Sequence, residues 1–247
     1  INVMAWRHRR ERSQPVKLPF FLLLLVIMQG MFGMWTVTLN LWPQVVTTHL
    51  LGGFTTLSLL WLLGLRLHNT PRAQPNIDLR FWRKLKPLAL LGLVLVVCQI
   101  TLGGWTSSNY AALACPELPT CQGQWLPTMD FSEGFDVTQE IGPNYLGGQL
   151  DAPARVAIHF AHRVGALVVT LYLAFLLTKL YRHAGGAEMR AQANTILGLL
   201  ILQVVLGMSN IIWSLPLFVA VAHNAVGALL LLTMVSLNYR LYRSTSW

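Results

Sequence analysis

The sequence predicts an all-α integral membrane protein of six transmembrane helices, and three observations carry that prediction. The 247 residues are 54% hydrophobic and 11% charged, where an ordinary soluble domain has about 25% charged residues. Six apolar runs, near 18–40, 43–65, 86–106, 153–181, 191–213 and 216–239, each reach the ~20 residues needed to cross a ~30 Å hydrocarbon core as a helix. Every Lys and Arg except Arg155 and Arg163 falls in one of four short clusters between or beside those runs. The net charge of +9 is therefore no nucleic-acid footprint, and no basic face or nucleic-acid motif accompanies it.

The clusters orient the spans. Arg7, Arg9, Arg10, Arg12 and Lys17 precede the first run, and Arg66, Arg72, Arg80, Arg83, Lys84 and Lys86 separate the second from the third. Lys179, Arg182 and Arg190 join the fourth to the fifth, and Arg240 and Arg243 follow the sixth. Positive charge is retained on the cytoplasmic side, so both termini are expected there. The opposite connections are the short turns at Trp42-Pro43 and Ser214-Leu215-Pro216 and the long segment 107–152. That segment contains no Lys or Arg and six acidic residues: Glu117, Asp130, Glu133, Asp136, Glu140 and Asp151. Asp78 and Glu188 lie with the basic clusters. Cys115 and Cys121, in CPELPTC, face the oxidising side, where a local disulfide is the natural reading and two free thiols the alternative. Cys98, within an apolar run, reads as a packing residue.

The first and last hairpins match in register across 174 positions. Gln29 aligns with Gln203, Gly33 with Gly207, Met34 with Met208, His49 with His223, and Gly53 with Gly227. Such a set of polar and small residues indicates a duplication. The fold expected is one complete four-helix repeat plus half of a second, pseudo-symmetric one. Residues 1–65 form the half repeat, 66–85 a basic linker, and 86–247 the four-helix repeat. Two helices are then expected before residue 1, a position held here by Ile rather than Met.

Ionisable residues inside a span are expensive and read first as functional. His49 and His223 lie six or seven residues below the prolines of the short turns, about 10 Å into the membrane at 1.5 Å per residue. His162 lies about 13 Å down on the same rise, with His159 one turn nearer the surface. His8, His68 and His183 sit in basic segments and read as solvated. Facing helices can supply two axial imidazoles to a heme iron, and His162 with His223 forms such a pair within the complete repeat. Arg163, beside His162, would suit a heme propionate. His159 and His162 at i and i+3 also read as half of a zinc site, and plain interhelical hydrogen bonding is the third reading, strongest for His159.

GMWTVTLNLWPQVVTTHLLGG, CPELPTC, IHFAHRVGA and AHNAVGA together resemble the heme A synthase family in its proteobacterial form, over about residues 15–240. The resemblance implies an inner-membrane oxidoreductase of two four-helix halves that oxidises the C8 methyl of heme O to the formyl group of heme A. It implies heme b as cofactor on His162 and His223, and His49 as one of two histidines at the heme O site. It also implies candidate partners: heme O synthase, cytochrome oxidase assembly factors and a second copy of the chain. The family's Glu-x-x-His-Arg helix and second cysteine pair have no match, and His159 stands where the motif has Glu. A truncated synthase that binds heme b without turnover is therefore the expectation. A bis-His iron has no free position for O2, which casts this heme as electron relay. A membrane b-type cytochrome that only transfers electrons is the competing class. A thiol–disulfide protein is disfavoured by the five residues between the cysteines, and a transporter by spans without acids or breaks.

Overall fold

In a computed structural model, residues 1–10, 16–68, 79–145, 149–183 and 186–243 are described. Arg12, Arg72 and Asp78, and with them much of the expected linker, lie outside these residues. Eight helices follow one another among the described residues: α1 (Asn2–Arg7), α2 (Lys17–Thr38), α3 (Pro43–His68), α4 (Leu79–Ser108), α5 (Phe131–Gly134), α6 (Ala152–His183), α7 (Ala187–Ile212) and α8 (Leu217–Arg243). Six of them are long and apolar enough to span a membrane, and no strand is present among the described residues. The protein is an all-α, multi-pass membrane protein.

The helices outrun the apolar sequence at their basic ends. α4 begins at Leu79, so Arg80, Arg83 and Lys84, expected in the linker, lie in its first turns. Arg and Lys are good helix formers, and their long stems let the charge reach water from a helix that continues. Composition marks where the hydrocarbon ends, whereas the backbone hydrogen bonds run on.

α4 is the hub, packing on α3, α6 and α8, while α8 also packs on α7 and α3. α2 touches only α3 and the short α1 among the elements described. The largest core lies between α4, α6, α7 and α8, where Leu85, Leu173, Leu176, Leu180, Ile196, Met234 and Leu237 are fully enclosed. Polar side chains tie the helices across this core. Asn238 Nδ2 donates to the carbonyl of Ala89 (3.0 Å), Tyr172 Oη to that of Leu88 (2.8 Å), and Gln192 Nε2 to that of Thr233 (3.0 Å). Trp61 Nε1 donates to Ser236 Oγ at 2.7 Å, joining α3 to α8. Cys98 is exposed on the outside of α4, so it is not the packing residue the sequence suggests. An apolar outer face on a spanning helix admits Cys as readily as the interior does.

At the opposite end, residues 109–145 and 149–151 fold back over the bundle. Trp105, Ala111, Leu150, Ala154 and Ile158 form a second small core beneath them, and Trp105 Nε1 donates to the carbonyl of Gly134 at 2.8 Å. Asp130 caps α5, accepting the backbone N–H of Glu133 at 2.9 Å. The loop also grips the α2–α3 turn. Asn40 Nδ2 donates to Gly142 (3.0 Å), Trp42 Nε1 to Gln139 (2.7 Å), and Tyr145 Oη to the Val37 carbonyl (2.7 Å).

Candidate functional site

Three helix hairpins, α2–α3, α4–α6 and α7–α8, share one construction. On the first helix of each, a glutamine lies one turn before a glycine: Gln29 and Gly33, Gln99 and Gly103, Gln203 and Gly207. On the second helix, a histidine precedes a glycine by three or four residues: His49 with Gly52, His162 with Gly165, His223 with Gly227. The two sets interlock. A Cβ added at Gly33, Gly103 or Gly207 would stand 3.2 Å from Cε1 of His49, His162 or His223 respectively. A Cβ at Gly52 or Gly165 would overlap the carboxamide of Gln29 or Gln99, and one at Gly227 would meet Gln203 Nε2 at 3.4 Å. Each histidine ring therefore lies on one glycine, and each glutamine on the other.

The first helices also end alike. Leu41 N–H donates to Thr36, Ala111 N–H to Thr106 and Leu215 N–H to Asn210, at 2.7–2.9 Å. The residue before each donor is left-handed, with φ of 50° at Asn40, 54° at Tyr110 and 55° at Ser214. For a residue with a Cβ this conformation costs roughly 1–2 kcal/mol. Its recurrence at three matching positions shows that the same turn is built each time.

His162, from α6, lies against α4, and His223, from α8, lies against α7, in hairpins that pack together through α4 on α8 and α6 on α7. Gln99 Nε2 lies 3.0 Å from His162 Nδ1 and also donates to the His162 carbonyl at 3.0 Å. Gln203 Nε2 lies 3.3 Å from His223 Nε2. His223 Nδ1 and the Oε1 atoms of Gln99 and Gln203 are buried without a partner, as are His49 Nδ1 and Gln29 Oε1. His49 lies against Gly33 of α2.

The neighbours of His162 have other duties. His159 is buried, bonding the Ala111 carbonyl through Nδ1 at 2.9 Å, with the Cys115 N–H 3.4 Å from the same atom. No cluster of three metal-ligating side chains exists among the described residues, so nothing completes the zinc half-site. Arg163 donates to the carbonyls of Thr120 (2.9 Å), Cys115 (2.7 Å) and Glu117 (2.6 Å). Besides these three carbonyls the Glu117 carboxylate acts on this cation, and only Nε is left buried without a hydrogen-bond partner. Cys115 and Cys121 form a disulfide that closes the same loop. His159 and Arg163 thus hold a disulfide-closed cap over the end of α6.

The sequence profile of the cytochrome oxidase assembly protein family, COX15-CtaA, matches residues 1–235. The chain belongs to this family. It is 48% identical to the heme A synthase of Shewanella oneidensis across 94% of the chain and 68% of that protein's length. It is 30% identical to the heme A synthase of Methylobacterium radiotolerans, over 65% of the chain and 41% of that protein. With the heme A synthase of Halalkalibacterium halodurans the identity is 24%, over 95% of the chain and 71% of that protein.

Gln29 and Gln203 stand in the repeat legible in the sequence, whereas Gln99 and the third hairpin escape it. Q-x3-G does occur at 99–103, so a signal exists. Its histidine follows the long loop rather than a short turn, which hides the match.

Proposed function

We propose that this protein is an oxidoreductase of heme A biosynthesis, acting on the C8 methyl of heme O, with heme b held by His162 and His223. The observation that carries the reading is that His162 of α6 and His223 of α8 each lie on a glycine of a neighbouring helix in the same construction, in a chain whose relatives are heme A synthases. The residues suit the group. Two glycines keep a Cβ out of the space beside the rings, and His223 Nδ1 is a buried nitrogen without a partner. A bound heme b supplies reversible one-electron chemistry at this position. Arg163 Nε, the one part of that guanidinium without a partner, suits a propionate, while the disulfide-closed cap limits water at the edge of the site.

His49 belongs to the substrate side. Its own hairpin partner α2 contains no histidine, and neither does α4. We therefore expect these 247 residues to hold heme b and to bind heme O weakly, without converting it. The disulfide end faces the oxidising side of the bacterial inner membrane and the basic clusters face the cytoplasm, as positive charge requires.

The test supplies purified protein with heme O and a reductant, then extracts and separates the hemes. Heme b retained through His162 and His223, with heme O uptake that depends on His49, supports the reading. Heme b with no uptake of heme O identifies an electron-carrying cytochrome instead. Formation of heme A refutes the expected lack of turnover.

A further inference from the structure

The heme reading uses the histidines and leaves the glutamines without a role. We propose that Gln99 and Gln203 are positioning residues for His162 and His223, each engaging one ring nitrogen so that the other is presented to the heme iron. This rests on the heme reading above and extends it to residues that do not touch the ligand.

Geometry comes first. Gln99 Nε2 is 3.0 Å from Nδ1 of His162, and the same amide donates to the His162 carbonyl. Two anchors on one residue fix the ring's rotation as well as its place. Because the nitrogens of an imidazole lie on different edges, a ring held at Nδ1 turns Nε2 away from Gln99. In the α7–α8 hairpin, Gln203 lies 3.3 Å from Nε2 of His223 and leaves Nδ1 without a partner. Each ring therefore has one engaged nitrogen and one available.

Proton accounting explains the choice of a carboxamide. A neutral imidazole that gives one lone pair to a metal carries its proton on the other nitrogen, and that N–H needs an acceptor. Before iron binds, the held nitrogen accepts from Gln Nε2. Once the proton moves to the held nitrogen, Gln Oε1 can accept it after the amide turns. Oε1 is buried and unpartnered in both Gln99 and Gln203. A hydroxyl is too short for this reach, and a hydrocarbon serves neither state.

Repetition is the second argument. Gln29 takes the same position against Gly52, on the helix that carries His49. A glutamine kept for helix packing alone has no reason to meet an imidazole in both hairpins of the four-helix repeat and to recur at the matching position of the remaining hairpin. Gln192 also has a buried Oε1 without a partner but bonds only a backbone carbonyl across α7 and α8, so contact with an imidazole, not the free Oε1, sets Gln99 and Gln203 apart.

The experiment uses the full chain in detergent. Hemin affinity, reduction midpoint and low-spin spectrum are measured for the parent, Gln99→Leu, Gln203→Leu, Gln99→Glu and the control Gln192→Leu. Loss of an outer partner of a metal-binding histidine costs about 10–100-fold in affinity, and each Leu variant is expected to fall in that range. Gln99→Glu keeps the size and should retain heme with a lowered midpoint, since a carboxylate makes the ring a stronger donor. Gln192→Leu should leave the midpoint unchanged. Leu variants that fold and match the parent in affinity and midpoint overturn the proposal. If they do not fold, an unchanged midpoint in Gln99→Glu overturns it instead. A parent that takes up no heme defeats the heme reading itself, which separates the two failures.

Discussion

Gly103→Ala separates space kept for a ligand from ordinary helix packing. The new Cβ would stand 3.2 Å from His162 Cε1, whereas carbon atoms prefer ~3.5–4.0 Å. The ring must withdraw by several tenths of an ångström. Overpacking by one methyl lies near the low end of the ~1–3 kcal/mol range, and replacing Gly by Ala in a helix returns about 0.5–1 kcal/mol. The two nearly cancel, so thermal stability should barely move. Heme affinity has no such compensation, because a metal ligand must be held within about 0.5 Å of its working position. A misalignment of ~1 kcal/mol lowers affinity about fivefold. Gly198→Ala is the matched control, since a Cβ there meets nothing within 4 Å; it should gain stability of about 0.5–1 kcal/mol with heme affinity unchanged. Hemin titration followed at the Soret band, beside thermal unfolding in detergent, reads both effects. Equal heme affinities in the two variants would refute the claim that Gly103 keeps space for the His162 ring.

Other perturbations probe the cap and its supports. Arg163→Met removes the donors to Cys115, Glu117 and Thr120; hydrogen bonds to a charged group contribute about 1.5–3 kcal/mol each. Amide exchange across residues 115–121 should therefore rise by at least about tenfold. His159→Phe should loosen the same loop, by losing the bond to Ala111, and leave heme content intact; loss of heme would make His159 a ligand. Asp130 is held below its ordinary carboxylate value of 3.8 by the Glu133 N–H and then the Ser132 hydroxyl. A carboxylate whose folded value is depressed stabilises the fold above its unfolded value and loses that contribution as pH falls through the folded one. Protection factors at Phe131–Gly134, taken relative to the unstructured amide at each pH, should accordingly be flat from neutrality to about pH 5 and fall in stronger acid, with Asp130→Asn already less protected at neutral pH.

The spans were legible because the demand of a membrane is coarse. About twenty apolar residues between basic clusters is enough, and the duplication of Gln29, Gly33 and His49 in Gln203, Gly207 and His223 stands out against Leu-rich surroundings. Helix ends were less legible, since Arg80 and Arg83 look like linker and fold as helix. The partners of buried polar groups were least legible. Arg163 suggests a missing anion, yet three loop carbonyls and the Glu117 carboxylate, from residues more than forty positions away, serve it. Gln99 reads as an isolated polar residue until the fold brings it to His162. Both contacts depend on how the chain returns from α4 to α6, and a helical period contains no record of that.

The measurement that bears most directly on the central claim is a reduced-minus-oxidised spectrum, with a pyridine hemochrome assay, on the purified parent, His162→Ala and His223→Ala. The account predicts a low-spin b-type signal in the parent that is lost in both variants while the helical bundle persists. A folded parent without heme, or a heme signal that survives loss of either histidine, would contradict it.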